Sequence, residues 1–358
     1  MNTSPASPDA PADEGLPFIQ RLSNVARYEG GRVVILDRRV YPASVEFVTC
    51  ADYGAVARAI GEMVTQSYGP WVAASYGMVS AARSAQAMSH TDAQAELRRA
   101  AEVLSHARPT TSGGMTRSIN RIRDFALGKL AEDREHLEAA TLAFVESTLQ
   151  ARYREDRAIC SHAVDLLPDP ATILTQCYAE TLIGFVLLIS QERGKEISLI
   201  CPETRPYLQG ARLTAAAAHD LGIPTTVITD NMPAYVLSKG TIDAFVCAAD
   251  VVTLDGHAVN KVGTFQIALA AHYHKVPFYV VRNPSAANPT IATVEIEERD
   301  PEESLHAMGV RTAPRGVSGY YPAFDITPPH LISAVCTSRG VFSPYDLRKG
   351  FGPDVQAH

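Results

Sequence analysis

The sequence predicts an α/β protein whose C-terminal part forms a Rossmann-like, doubly wound parallel sheet. Three observations support this fold class. After residue 168, short apolar runs alternate with helical patterns, each strand–helix unit spans about 20 to 30 residues, and polar clusters follow the apolar runs. Because open parallel sheets bind ligands outside the carboxyl ends of their strands, the polar clusters predict one shared cleft.

The C-terminal domain is predicted to span residues 151–358. Strands are predicted near 171–176, 196–201, 224–229, 244–249 and 277–282, and helices near 179–192, 209–221, 232–239 and 261–275. The polar clusters at the predicted strand ends are Cys177, Glu203–Gln209, Thr229–Met232 and Asp250. A thiol and a carboxylate that meet in one cleft favour proton-transfer chemistry.

The N-terminal part is predicted to be a disordered tail at 1–15 and a mainly helical domain at 16–150 that carries a short β-hairpin. The tail is rich in Pro, Ala, Ser and Asp and has too little apolar surface to offset the entropy cost of ordering. The runs VVILDRR and VYPASVEFVT predict the hairpin, and apolar spacing predicts helices at 51–67, 71–87 and 90–104. A charged amphipathic segment at 118–167 is predicted to join the domains.

The composition argues against several classes of function. With a net charge of -7 and no basic stripe, the chain is not expected to bind nucleic acid. No apolar run reaches the roughly 18 residues of a membrane span, and no signal peptide is evident, so a cytoplasmic protein without a membrane partner is expected. The six cysteines form no CxxC pair, and no phosphate-binding glycine motif is present, so neither a metal nor a cofactor is expected.

Five motifs in order resemble one known family. The motifs are ETRPYLQGARLT, TDNM, Asp250 with NKVGT ten residues later, VEIEERDPEE and YYPAFDITP. They are similar to the family of methylthioribose-1-phosphate isomerase, ribose-1,5-bisphosphate isomerase and the alpha, beta and delta regulatory subunits of translation initiation factor 2B. The resemblance runs from about residue 20 onward. Its N-terminal segment is similar to the methylthioribose branch, whereas the segment from Cys177 to Gln209 and the chain end are similar to the ribose-bisphosphate branch.

The resemblance implies a catalytic pair. The isomerases of the family carry a cysteine and an aspartate at the positions of Cys177 and Asp250, and the translation-factor subunits typically lack them. An aldose 1-phosphate is held as a ring by its anomeric phosphate, so its isomerisation needs a group that protonates the ring oxygen and a group that helps move hydrogen from C2 to C1. The alternatives for single residues are an inert buried thiol at Cys177 and a helix cap or loop residue at Asp250.

The resemblance also implies the substrate contacts. Gln209, Asn260 and Lys261 are expected to contact a sugar phosphate, and Arg108 is expected to bind its phosphate. The isomerases have an Arg-Gly-Ala loop where this chain has Ser67, Tyr68 and Gly69. Tyr68 and Gly69 remain candidate substrate contacts, but one phosphate ligand is missing.

Two further departures from the family lie beside the catalytic pair. The family's Cys-Asn-Ala-Gly is Cys177-Tyr178-Ala179-Glu180 here, and the glycine before the aspartate is Ala249.

The retained cysteine and aspartate favour an aldose-ketose isomerase that converts a 5-modified ribose 1-phosphate into the ribulose 1-phosphate. The alternatives are a ribose-1,5-bisphosphate isomerase and a non-catalytic regulatory subunit that senses a sugar phosphate or a nucleotide. The resemblance implies a homodimer formed through the sheet domain. The apolar segment Leu331–Phe342 is expected to supply surface for it.

Overall fold

The computed structural model describes residues 10–107 and 112–352, which divide into two compact units. The first unit consists mainly of Phe18–Arg154, and the second consists mainly of Glu155–His358. Residues 1–9 of the predicted tail lie outside the described residues. Residues 10–15 form turns, in which the Ala12 N–H donates a hydrogen bond to Gln150 Oε1 at 2.7 Å.

The first unit combines a small antiparallel sheet with helices. Its strands are β1 (Ala26–Glu29), β2 (Arg32–Leu36) and β3 (Phe47–Cys50), and they lie in this order in the sheet. Its helices are α1 (Leu22–Val25), α2 (Tyr53–Gly61), α3 (Gly69–Gln86), α4 (His90–Ser105), α5 (Ser112–Glu132) and α6 (Leu137–Asp165), the last of which continues into the second unit. The predicted mainly helical domain with a short hairpin is confirmed in outline.

Two details of the first unit differ from the prediction. Strand β1 is an additional strand, joined to β2 by a turn at Gly30 and Gly31. Both glycines have positive φ, at 58° and 79°, which a two-residue hairpin turn requires and which the sequence GG supplies. The predicted segment 118–167 is two helices, because a 3₁₀ turn at Arg134–His136 separates α5 from α6.

The second unit is built on a seven-stranded sheet. In chain order, the strands of this unit are β4 (Ala171–Leu174), β5 (Ile197–Pro202), β6 (Thr225–Ile228), β7 (Ala244–Cys247), β8 (Val251–Val252), β9 (Ala258–Lys261), β10 (Phe278–Val281), β11 (His306–Ala307), β12 (Val310–Arg311), β13 (Phe324–Thr327), β14 (Ala334–Thr337) and β15 (Gly340–Phe342). The order in the large sheet is β15-β14-β10-β7-β4-β5-β6, and all neighbours are parallel except β14 and β15. The predicted α/β class with a parallel sheet is confirmed.

Apolar burial and short connections explain this arrangement. Each residue of β7 is buried, and Phe245 of β7 stacks on Phe278 of β10 with ring centroids 4.3 Å apart. The helices of this unit are α7 (Thr181–Glu192), α8 (Ala215–Asp220), α9 (Pro233–Leu237), α10 (Thr264–Tyr273), α11 (Glu302–Leu305) and α12 (Leu347–Phe351), with a π-helical turn at Gly210–Thr214 before α8. Parallel strands buried on both faces read as continuous apolar runs, which is why the sequence pattern located the inner strands β4, β5, β7 and β10. The fifth predicted strand, β6, lies at the edge of the sheet and is less buried.

The segment Leu331–Phe342 was expected to supply association surface, and this expectation is wrong in its physical basis. The segment forms β14 and β15, and β14 lies inside the sheet with each of its four residues buried. Leu331 and Ile332 are buried in the same core. The fold of one chain therefore accounts for most of the apolar character of the segment, and the exposed exception is Val341 on the edge strand β15.

A separate three-stranded antiparallel sheet, in the order β13-β9-β8, follows the end of β7. Its central strand β9 carries Asn260 and Lys261, which pair with Asp325 and Phe324 of β13. The sequence predicted a helix from residue 261, but α10 begins at Thr264. The four residues of β9 are buried.

The loop that follows β5 depends on one glycine, which gives a test of stability. A Cβ atom on Gly210 would lie 1.8 Å from the Pro202 carbonyl oxygen. We expect Gly210→Ala to lower the free energy of unfolding by about 1 to 3 kcal/mol, because backbone must move to relieve this clash. Gly128→Ala is the matched control, since Gly128 is an exposed residue within α5 with nothing within 4 Å of the added Cβ, and it should stabilise by about 0.5 to 1 kcal/mol. Urea denaturation of both variants tests this, and equal stability would contradict it.

Candidate active site

Cys177 lies just beyond the carboxyl end of β4 in a strained backbone conformation. Its φ is 61°, a left-handed value that costs free energy for a residue other than glycine. Two hydrogen bonds hold this conformation: the Cys177 N–H donates to Thr204 Oγ1 at 3.2 Å, and Thr214 Oγ1 donates to the Cys177 carbonyl oxygen at 2.5 Å. Two segments that follow β5, one at Thr204 and one at Thr214, therefore hold Cys177 in place.

The Cys177 thiol is held in its neutral form. Burial raises the pKa of this thiol above the ordinary value of 9.0, and the charge of Asp250 acts in the same direction. Lys261, the Tyr178 backbone N–H and Arg299 lower the pKa, but they do not overcome burial. The residue as a whole is partly exposed, whereas the other five cysteines are buried. Cys177 is therefore a protonated, partly exposed thiol that feels the charges of two cations and a carboxylate.

The loop after β5 brings a second set of polar groups to the site. Thr204 and Leu208 both have positive φ, at 63° and 57°. The Asp230 carboxylate fixes the start of the loop, because it accepts hydrogen bonds from the N–H groups of Thr204 at 2.8 Å and Arg205 at 2.7 Å. At the end of the loop, Gln209 is buried, and its Oε1 has no hydrogen-bond partner among the described residues.

Asp250 lies just beyond the carboxyl end of β7. Its N–H donates to the Val259 carbonyl oxygen at 2.8 Å, which ties it to the sheet that carries Asn260 and Lys261. The sequence analysis places the aspartate at a strand end, as observed, but Asp250 is an exposed residue. Its charge nevertheless acts on the Cys177 and Cys247 thiols, so it belongs to the same cluster.

Asn260 and Lys261 are buried on β9. The Asn260 amide donates to Thr264 Oγ1 at 3.1 Å and faces Cys247 Sγ at 3.6 Å. The Lys261 ammonium lies 4.9 Å from the ring centre of Phe324 and 5.8 Å from that of Tyr321. A buried ammonium against aromatic rings keeps a strong field for an incoming anion, because little water screens it.

Arg299 is a functional candidate that sequence reasoning missed. Its guanidinium is nearly buried and pairs with Glu297 at 3.0 Å. Desolvation lowers the Arg299 pKa, but the hydrogen bond and the charge of Glu297 outweigh it and raise the pKa overall. The guanidinium carbon lies 5.5 Å from the ring centre of Phe324 and 6.0 Å from that of Tyr321. The sequence does carry a signal for Arg299, because this arginine lies within the family motif VEIEERDPEE.

Asp325 is a second group that the sequence analysis did not assign. Its carboxylate accepts hydrogen bonds from the N–H groups of Gly263 at 2.7 Å and Phe265 at 3.1 Å, and so caps the N-terminus of α10. Burial raises the pKa of Asp325 to about 6, although both hydrogen bonds and the Lys261 charge lower it. The carboxylate fixes the segment between Lys261 and α10.

The remaining predicted contacts lie elsewhere in the chain. Tyr68 and Gly69 belong to the first unit, where Gly69 begins α3 and Tyr68 packs edge-on against Trp71. A Cβ on Gly69 would lie 1.7 Å from Thr65 Oγ1, so this position requires glycine. Arg108 lies outside the described residues. The structure brings Cys177, Asp250, Gln209, Asn260 and Lys261 to the strand ends of the second unit.

The described residues contain neither a metal-binding cluster nor a membrane-spanning helix. Within residues 10–107 and 112–352, no three His, Cys, Asp or Glu side chains are grouped so that they could hold a metal ion. The helices of the same residues include none with the length and apolar character to cross a bilayer.

Comparison with known proteins identifies the family. Residues 65–344 match the model of the initiation factor 2 subunit family. The methylthioribose-1-phosphate isomerase of Pelotomaculum thermopropionicum is 37% identical over 352 residues, which cover 92% of this chain and 94% of the relative. The enzyme of the same name from Chloroflexus aurantiacus is 36% identical over 333 residues, which cover 88% of this chain and 94% of the relative.

Solved structures agree. The crystal structure of 5-methylthioribose 1-phosphate isomerase from Pyrococcus horikoshii has a TM-score of 0.81 at 26% identity and covers 97% of this chain and 99% of its own. The translation initiation factor eIF-2B delta subunit from A. fulgidus has a TM-score of 0.79 at 31% identity and covers 90% of this chain and 96% of its own. The chain therefore belongs to the initiation factor 2 subunit family, as the sequence resemblance indicates, and it is an enzyme, an isomerase, of that family.

Proposed function

We propose that this chain converts a ribose 1-phosphate derivative into the corresponding ribulose 1-phosphate, with methylthioribose 1-phosphate as the first substrate to test. The observation that carries the proposal is the pairing of Cys177 with Asp250 at the carboxyl ends of neighbouring strands, where the Asp250 charge acts on the thiol. The names of the relatives support the choice of substrate. No cofactor takes part in this proposal.

The reaction consists of ring opening followed by hydrogen transfer. Protonation of the ring oxygen breaks its bond to C1, and a hydrogen then moves from C2 to C1 while the C2 hydroxyl loses its proton to become a ketone. The phosphate stays on C1 throughout, so substrate and product are isomers. The transfer follows one of two routes: an enediol-type intermediate, in which the hydrogen exchanges with solvent, or a direct hydride shift, in which it does not.

Cys177 and Asp250 divide this work. The exposed Asp250 carboxylate exchanges protons readily with solvent, so we assign it the proton shuttle to and from the sugar oxygens. Burial keeps the Cys177 thiol neutral near pH 7, so we assign it a place beside C1 and C2. A neutral thiol suits the hydride shift, which needs no base at carbon, whereas in the enediol route Cys177 would have to lose its own proton before it could take the proton from C2.

The phosphate is assigned to the cations on the same side of the sheet. Lys261 and Arg299 both act on Cys177, and both lie against the Phe324 and Tyr321 rings. Charge-assisted hydrogen bonds from such groups suit a phosphate. Gln209 and Asn260 remain proposed sugar contacts, and Arg108, Tyr68 and Gly69 remain predictions.

The alternative of a non-catalytic regulatory subunit is supported by the likeness to the eIF-2B delta subunit and by the replacement of the family's loop arginine by Ser67 or Tyr68. We do not adopt it, because the relatives at 36% and 37% identity over most of the chain are isomerases. The homodimer and the cytoplasmic location also remain proposals, and sedimentation at micromolar concentration tests the dimer.

A substrate panel tests the function directly. We expect turnover of methylthioribose 1-phosphate and of other 5-deoxy or 5-thio ribose 1-phosphates without added metal or nucleotide, followed by NMR. Ribose 1,5-bisphosphate should have a lower kcat/KM, because the missing loop arginine leaves fewer cations for a second phosphate. The reaction in D₂O separates the two transfer routes by deuterium incorporation at C1. Binding without turnover of every member of the panel would favour the regulatory subunit instead.

Variants of the catalytic pair give the second test. We expect Asp250→Asn to lower kcat by at least about 100-fold, because the amide keeps the shape but cannot carry the proton. Cys177→Ser should have a comparably severe effect. Asp243→Asn is the matched control. Asp243 lies directly before β7, at the end of the strand opposite to Asp250, and its carboxylate accepts the Thr172 N–H at 2.7 Å. Near-normal kcat in either site variant would remove that residue from the mechanism.

The pH dependence of alkylation tests the state of the thiol. Iodoacetamide reacts with the thiolate, so the rate at Cys177 should be low at pH 7 and rise with a midpoint above 9.0, the ordinary thiol pKa here. Lys261→Met should move the midpoint further upward, because Lys261 is the strongest of the influences that lower this pKa. Mass spectrometry of the modified peptide separates Cys177 from the buried cysteines. A midpoint below pH 8 would contradict the raised pKa of Cys177 and would indicate that this residue acts as a thiolate.

A further inference from the structure

Gln176 is a buried residue beside the catalytic cysteine for which the reaction scheme has no role. It is 3% exposed and directly precedes Cys177. Its Nε2 donates a hydrogen bond to the Val262 carbonyl oxygen at 3.3 Å. This contact needs the glycine that follows Val262, because a Cβ on Gly263 would lie 2.9 Å from Gln176 Nε2. Gly263 also has a φ of 105°, which disfavours any other residue.

The other end of this amide is unpaired. Gln176 Oε1 is buried and has no hydrogen-bond partner within the described part of the chain. The assignment of oxygen and nitrogen is fixed by chemistry, because a flipped amide would set its oxygen against the Val262 carbonyl oxygen. Native structures rarely leave buried acceptors unpaired, and those that remain are often explained by function.

The Gln176 oxygen is one of two unpaired amide oxygens that follow neighbouring strands, and the hydroxyl of Thr175, the residue before Gln176, is also buried without a partner among the described residues. Gln209 Oε1, after the adjacent strand β5, is also buried without a partner in the described residues. A ligand that pairs both oxygens must bring hydrogen-bond donors. A phosphate dianion offers only acceptors, whereas a ribose hydroxyl donates. The two amide oxygens therefore suit the sugar, and the cations Lys261 and Arg299 suit the phosphate.

We infer that Gln176 is a further substrate-binding residue, whose Oε1 accepts a hydrogen bond from a ribose hydroxyl and holds the sugar beside Cys177. The inference rests on the proposed function and adds a requirement to it: the substrate carries a free hydroxyl donor that Gln176 contacts, either at the reacting carbon C2 or at the neighbouring carbon C3. The Nε2 contact to Val262 links the same side chain to the segment that carries Lys261. The Gln176 amide therefore connects the proposed sugar contact, at its Oε1, to the segment that carries the proposed phosphate contact Lys261.

The test compares variants and hydroxyl-deleted ligands by calorimetry. Gln176→Met keeps the length of the side chain and removes the acceptor, and it should weaken binding of ribose 1-phosphate by about 10- to 100-fold. Gln191→Met is the matched control, because Gln191 Nε2 also donates to a carbonyl oxygen, that of Leu221 at 2.8 Å, and should leave binding within about 2-fold of the unmodified protein. Measurements in an Asp250→Asn background keep the ligand from turning over.

The hydroxyl is identified from 2-deoxyribose 1-phosphate and 3-deoxyribose 1-phosphate. The analogue that lacks the contacted hydroxyl should bind to the Gln176→Met variant and to the protein with Gln176 with affinities that agree within about 3-fold. The other analogue should bind to Gln176→Met as much more weakly as ribose 1-phosphate does. Circular dichroism and a cooperative thermal transition establish that Gln176→Met is folded before its affinities are compared. Equal losses for all ligands, or no loss, would overturn the inference. Absence of turnover by the unmodified protein would instead count against the proposed function, while the binding comparison would still decide the role of Gln176.

Discussion

The geometry of the site depends on the Asp230 carboxylate. By accepting the N–H groups of Thr204 and Arg205, it connects the end of β6 to the loop after β5. Thr204 in turn accepts the Cys177 N–H, so three neighbouring strand ends are joined by one chain of hydrogen bonds. Two of these residues, Thr204 and Cys177, have left-handed φ values that cost roughly 1 to 2 kcal/mol each. Such conformations persist only where the surroundings fix them, and these bonds do so.

This rigid frame determines the electrostatics of the thiol. Burial alone would make Cys177 inert, because it raises the pKa and favours the neutral form. Lys261 and Arg299 oppose burial without reversing it, so the neutral thiol lies in a field that also attracts phosphate. A nucleophilic cysteine would need the opposite balance, with a pKa depressed below the ordinary range. The neutral thiol therefore argues against covalent catalysis by Cys177, and it is compatible with the hydride-shift route of the proposed isomerisation, which needs no thiolate.

The sequence was sufficient to predict the parts of the fold that depend on local pattern. Inner parallel strands are continuous apolar runs, and the polar residues Cys177 and Asp250 lie directly after two of them, as the pattern predicts. What it could not predict depends on long-range pairing. Asn260 and Lys261 read as a helix start, but pairing with β13, more than 60 residues away, makes them a strand. Leu331–Phe342 read as exposed apolar surface, since nothing local shows that β14 completes the sheet beside β10. Arg299 was missed because its aromatic neighbours come from distant segments.

The turn between β4 and α7 shows how this chain departs from its family. Glu180 stands where the family pattern has glycine, and its φ is 45°, so the backbone keeps a conformation that suits glycine. A left-handed glutamate costs roughly 1 to 2 kcal/mol that glycine would avoid. Its side chain is also fully buried. The turn thus has a backbone conformation that suits the family's glycine, and its difference from the family pattern lies in the side chains of Tyr178 and Glu180. Since Cys177 lies in the same turn, a change of substrate between this chain and its relatives can arise there without any change in the catalytic pair.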